Sequence, residues 1–130
     1  MIEIKQLRRV MNEITEEKGK FTLFGLFLRD DAIDKWDLVI SAPWLEEGKL
    51  KGLGEFVEKM ASIVGEEQFL TLSRVVTLNH DEPSLKAILR EVQADNDFVE
   101  LKGSNLFGLP INHAYILQAK PMFYADSKAA

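Results

Sequence analysis

Residues 21–42 read FTLFGLFLRDDAIDKWDLVISA, and no other stretch of the chain is so densely apolar. Two runs of strand length, rich in aromatic and β-branched residues, flank a polar acidic break, which predicts a β-hairpin in the middle of a sheet. In the first run Phe21, Leu23 and Phe27 point one way and Phe24, Leu26 and Leu28 the other, so both faces are apolar. A strand of that kind is covered on both sides and lies inside its sheet. Gly25 interrupts it and marks a bulge or a close packing contact. The second run alternates: Trp36, Leu38, Ile40 and Ala42 share one face, Asp37, Val39 and Ser41 the other. Asp37 is therefore a polar group with buried neighbours.

Working outward, Ile4, Leu7, Met11 and Ile14 recur at spacings of three and four within residues 3–18, the stripe of an amphipathic helix that Gly19 can end. After the hairpin, Leu50, Leu53, Val57, Met60, Ala61 and Val64 form the stripe of a second helix over residues 46–64, with residues 66–70 as an extra turn. A third strand is expected over residues 71–79, and strand, helix, strand in this order predicts a parallel pair. Pro83 then opens a third helix whose buried face is Leu85, Ile88, Leu89 and Val92. Residues 93–97 read as a turn, 98–102 as a short strand, 103–110 as a loop and 111–119 as the last strand, antiparallel to its predecessor. The order α-β-β-α-β-α-β-β predicts an α/β or α+β fold, one mixed five-stranded sheet with three helices packed on it. Residues 1–130 form a single globular domain in this reading, with 122–130 a frayed tail.

Composition narrows the functional classes. A formal charge of −5 and a pI near 5.1 argue against nucleic-acid binding through a generally basic surface. The absence of cysteine removes disulfides, thiolate metal sites and thiol catalysis. The first twenty residues carry acidic side chains and no continuous apolar core, the pattern of neither a secretory signal nor a membrane span, so a cytoplasmic protein without a membrane partner is expected.

Several constellations are candidates for chemistry. Asp30, Asp31, Asp34 and Asp37 crowd the hairpin connector, where oxygen ligands can hold a hard cation, although the turn-forming habit of aspartate explains the same composition. Leu23, Phe24 and Gly25 followed through a loop by the strand from Trp36 to Ile40 resembles the core of the nucleotidyltransferase superfamily. That resemblance implies phosphate gripping and metal-assisted transfer by hairpin aspartates. It departs from the family at Leu26, where serine is expected, and in the three-residue spacing of Asp34 and Asp37, since only residues two apart on a strand face one pocket. Glu100 and Lys102 form the carboxylate-x-lysine pair of metal-dependent nucleases. The same spacing recurs at Glu3 and Lys5, Glu16 and Lys18, and Glu47 and Lys49, so a solvated strand face with a cross-strand charge pair is the competing reading.

His113 shares a predicted strand face with Ile111, Tyr115 and Leu117, the setting of a hydrogen-bonded core histidine. Arg74, on a strand taken as internal, needs a carboxylate, and Asp37 is the expected partner. Asp34, Asp37, Arg74, Lys102 and His113 are thus the candidate pocket residues, with no metal site and no cofactor assigned. Phe107, Phe123 and Tyr124 fall in loop or tail, covered either by the core or by a homodimer contact. Every candidate catalytic set is incomplete, so the expected function is a small binding or interaction domain that self-associates or takes a protein partner. The alternatives are a metal-dependent, nucleotidyltransferase-like or phosphoester-acting enzyme, and a structural subunit of a larger assembly.

Overall fold

The computed structural model describes residues 2–31 and 34–122. Its elements are helix α1 (Ile4–Lys18), strands β1 (Leu23–Arg29) and β2 (Trp36–Ser41), helix α2 (Pro43–Val64), a single-turn helix α3 (Glu66–Phe69), strand β3 (Arg74–Thr77), helix α4 (Pro83–Glu91), strand β4 (Ala94–Lys102), a 3₁₀ turn (Leu106–Gly108) and strand β5 (Ile111–Ala119). The strands form one sheet of order β3-β2-β1-β5-β4, in which β2 and β3 are parallel and the other pairs antiparallel. This is the mixed five-stranded sheet that the order of elements predicts, with β1 at its centre.

The hairpin pattern carries through to packing. Phe24 and Leu26 of β1, Leu38 and Ile40 of β2 and Leu117 of β5 are buried against α1 and α2, while Leu23, Phe27, Val39 and Ile116 are buried on the opposite face beneath α4 and the 3₁₀ turn. Phe21 lies before β1 and joins the first of these layers, edge to face with Phe24 at 5.0 Å and with Trp44 at 5.5 Å. The expected alternation therefore begins two residues later than the apolar run does. Gly19 ends α1 at a φ of 124°, a backbone only glycine adopts without strain, and its carbonyl accepts a hydrogen bond from Trp44 Nε1 at 3.1 Å. At Gly25 the β1–β5 register shifts, and a Cβ there would sit 2.8 Å from the Tyr115 carbonyl oxygen. Both readings of that glycine, bulge and close contact, hold together.

Four segments differ from expectation. The polar run 95–97, expected as a turn, belongs to β4: Ala94 and Asp95 pair with Ala119 and Gln118, and the ladder is irregular until Val99. Asn96 takes a φ of 53° in this bulge, and Gln118 Oε1 accepts its freed N–H at 2.8 Å, so polar residues extend a strand that propensity would have ended. β3 shrinks from nine expected residues to the four of Arg74–Thr77 and lies at the sheet's edge, so Arg74 is half-exposed and not internal. In α2 the residues facing the sheet are Leu45, Phe56, Met60 and Val64, because the backbone breaks at Lys49 (φ 51°, ψ −131°). That break leaves Leu50, assigned to the buried stripe from sequence, 85% exposed. A second register shift, between Leu28 and Arg29, places Ile111 beneath α4, on the face opposite His113.

Phe107 is buried beside Phe27, ring centroids 5.9 Å apart, so the core covers it and no dimer contact is needed to do so. Phe123, Tyr124 and the expected tail from 123 onward lie outside the described residues. No helix among the described residues is long and apolar enough to cross a membrane.

Candidate functional site

The five candidate residues gather near one end of the sheet, at the β1–β2 connector, but on opposite faces of it. Residues directly paired across strands point to the same face. Asp37 pairs with Phe27 and with Arg74, which puts its carboxylate and the guanidinium on the α4 side. His113 pairs with Leu28 and with Lys102, which puts those side chains on the α1–α2 side. Asp34 is exposed, at a φ of 56°. The backbone of the sheet thus separates Asp37 and Arg74 from Lys102 and His113.

On the α4 side, Asp37 is buried and its Oδ2 accepts hydrogen bonds from Arg74 Nε at 3.2 Å and NH2 at 2.8 Å. The expected Asp37–Arg74 pair is therefore present. Sequence reasoning missed its third member: Arg29 places Nε 3.2 Å from the same oxygen and donates from NH2 to Ser73 Oγ at 3.3 Å. Arg29 ends β1 and looks like a solvated hairpin charge in sequence; only its pairing beside β2 brings it to Asp37. Asp37 holds the Arg74 guanidinium above its ordinary pKa, through the hydrogen bonds first and the charge second. Asp37→Asn is expected to lower the unfolding free energy by about 1.5–3 kcal/mol, the range for hydrogen bonds to charged groups. Urea denaturation measures this, and an unchanged midpoint would show that the arginines do not depend on the carboxylate.

On the other face, Glu100 is the hub. Its Oε2 lies 2.9 Å from His113 Nε2 and 3.7 Å from Lys102 Nζ. Lys102 approaches Glu100 along the same strand, and the cross-strand partner is His113, a charge only when protonated. The hydrogen bond from His113 holds the Glu100 carboxyl below the usual carboxylate range, helped by Lys102 and Tyr115 and opposed by partial burial. Burial, and then Glu100, raise the Tyr115 phenol. Rings line the rest of this face: Trp36 and Phe98 each stack on Tyr115, at 5.1 Å and 5.6 Å, and His113 meets Trp36 edge-on at 5.0 Å.

A depressed carboxylate stabilises the fold above its unfolded pKa, and that contribution is lost as pH falls through the folded value. The Glu100 contribution is therefore complete above about pH 4.5, its ordinary value, and disappears on further acidification. Glu100→Gln is expected to flatten the acid limb of a stability profile measured by denaturant midpoint between neutral and strongly acid pH. An unaltered acid limb would remove Glu100 from that account.

The hairpin aspartates do not assemble a cation site. Asp37 is engaged by two arginines, Asp31 Oδ1 lies 3.8 Å from Arg29 NH1, and among the described residues no group of three or more histidines or carboxylates could hold a metal. None of the five candidates lines the groove of about 370 Å³ between α2 and the end of β3 or the one of about 500 Å³ beside β4 and the end of β5. The first is framed by Leu45, Leu50, Leu53 and Leu78, of which helical periodicity had assigned Leu50 and Leu53 to a buried stripe. Comparison with family models, curated proteins and solved structures finds no match for this chain.

Proposed function

We propose that this protein is an interaction module whose outer β3 edge receives an extended segment of a protein partner. The observation that carries this reading is the unequal treatment of the sheet's two edges. β4 has the features that keep an edge strand from pairing: a bulge and the charged side chains Asp95, Asp97, Glu100 and Lys102. β3 has an unbroken register with β2 and no acidic residue, proline or bulge; its single charge, Arg74, is tied down by Asp37. Val75 and Val76 on it are half-buried, and exposed leucines stand near both ends, Leu70 (70%) before it and Leu50 (85%) by the groove beyond it. An open edge with apolar shoulders offers backbone hydrogen bonds and side-chain pockets together, which is how strand addition achieves affinity and selectivity. A cytoplasmic location belongs to the same reading, as does the absence of any need for a cofactor.

Val75→Pro tests it. Leu78 N–H points inward to the Ile40 carbonyl at 2.9 Å, so alternation turns the Val76 N–H inward as well and the Val75 N–H outward, and proline at 75 removes an outer donor without touching the β2 ladder. Partners captured from cell extract by the wild type are expected to be lost with this variant, at unchanged circular dichroism. Capture that survives the proline would place the interaction elsewhere on the molecule.

A further inference from the structure

Resting on the interaction reading, we infer the chemistry of the segment that adds to β3: an extended peptide carrying an acidic side chain and a large apolar side chain an odd number of residues apart, three being the spacing that fits. Two sites flank the edge, one at each end and one on each face. At the start of β3, Arg74 and Arg29 converge on the buried Asp37 carboxylate. Each guanidinium has five N–H donors. Against these, the side-chain hydrogen bonds comprise two from Arg74 to Asp37 and one from Arg29 to Ser73. The two arginine side chains remain 54% and 28% exposed, so donors are left at the rim on groups already held in place. A carboxylate arriving there meets preorganised guanidinium, the geometry that makes charge-assisted pairs strong. At the far end, the groove of about 370 Å³ opens between Thr77–Asn79 and the α2 leucines, with Leu50 at its mouth. An aliphatic or aromatic side chain seated there would cover the most exposed leucine of the described residues.

The parity follows from the pleat. Arg74 pairs with Asp37 on the α4 face, whereas Thr77 pairs with Ile40, which is buried against α1 and α2. An added strand alternates in step with β3, so the side chain meeting the arginines and the one entering the groove lie on opposite faces and are separated by an odd count. Arg74 to Thr77 is three residues, about 10 Å of strand. A second copy of this chain is the poorer occupant: Ser73–Leu78 reads SRVVTL and brings no carboxylate to Arg29 and Arg74.

The experiment is selection of a random dodecapeptide display library on the full folded chain, followed by binding of the enriched peptides to Arg74→Gln and Leu50→Ser. Enriched sequences are expected to carry Asp or Glu and a large apolar residue at odd separation. Each variant is expected to weaken binding about tenfold, the worth of one charge-assisted or buried apolar contact. Leu50→Ser guards against misfolding as the explanation, since an exposed side chain bears little of the fold. Enrichment of peptides without an acidic residue, or with even separation, overturns the inference, as does no enrichment. A dimer seen by light scattering and abolished by Val75→Pro would make a second copy the occupant and overturn it too. Val75→Pro also separates the two levels: peptides that break the pattern yet lose binding with the proline leave the edge reading standing, and peptides indifferent to the proline remove both.

Discussion

Phe24→Ala is expected to lower the unfolding free energy by about 3–5 kcal/mol, the range for deleting a large aromatic from a packed core. Phe24 has no exposed surface and sits on the central strand, its ring edge to face with Phe21 at 5.0 Å and Phe56 at 6.4 Å. The cost depends on how far neighbours can collapse into the space. Here β1 is fixed by β2 on one side and β5 on the other, while Phe21 and Phe56 are themselves locked among α1, α2 and Trp44. Relaxation is therefore small and most of the cavity persists. Since domains of this kind are stable by only about 5–15 kcal/mol, the variant would lose a large share of the total. Urea unfolding with an unchanged slope measures it; a loss under about 1 kcal/mol would mean that the central layer repacks freely.

Gly25→Val is expected to cost about 3 kcal/mol or more, through crowding. A Cβ at this position meets the Tyr115 carbonyl oxygen at 2.8 Å, Ile116 Cγ1 at 3.2 Å and the Phe27 ring at 3.2 Å. The first of these is backbone of the neighbouring strand, so β5 must move away from β1, and with it the β4–β5 pair. Valine adds two further carbons to that conflict. Alanine at the same site is expected to lose about 1–3 kcal/mol. Gly54→Ala in α2 is the control: a Cβ there has nothing within 4 Å, so the helix gains about 0.5–1 kcal/mol from the better helix former. Equal melting shifts at the two glycines would refute the steric account of Gly25.

How much of this was legible depends on whether the cause is local. The alternation of Trp36, Leu38 and Ile40 against Asp37 and Val39, and the two apolar faces of β1, follow from the two-residue period of a strand and appear in the structure as read. The pairing of Asp37 with Arg74 was also legible, because an arginine on a strand taken as internal demands a carboxylate and Asp37 has buried neighbours. The reason given for it was only half right: Asp37 is buried, but Arg74 stands at the rim. The entry of β4 through Asp95–Asp97 was not legible, since its hydrogen bonds come from β5 and the Gln118 side chain more than twenty residues away. Neither was the break at Lys49 that turns Leu50 outward; helical periodicity assumes a continuous helix and places Leu50 on the buried stripe.

The amino-acid order by itself determined which residues of β2, and of β1 from Leu23 onward, share a side, which segments are apolar enough to be central, and that Arg74 would be met by a carboxylate. Only the tertiary structure decided that Asp37 and Arg74 lie across the sheet from His113 and Lys102, that Arg29 joins the first pair, and that β3 is an edge. Along a strand without a bulge, the side on which a residue falls is a property of the backbone repeat. Which sides of different strands coincide is set by register, and register is fixed by hydrogen bonds and packing between segments distant in the chain.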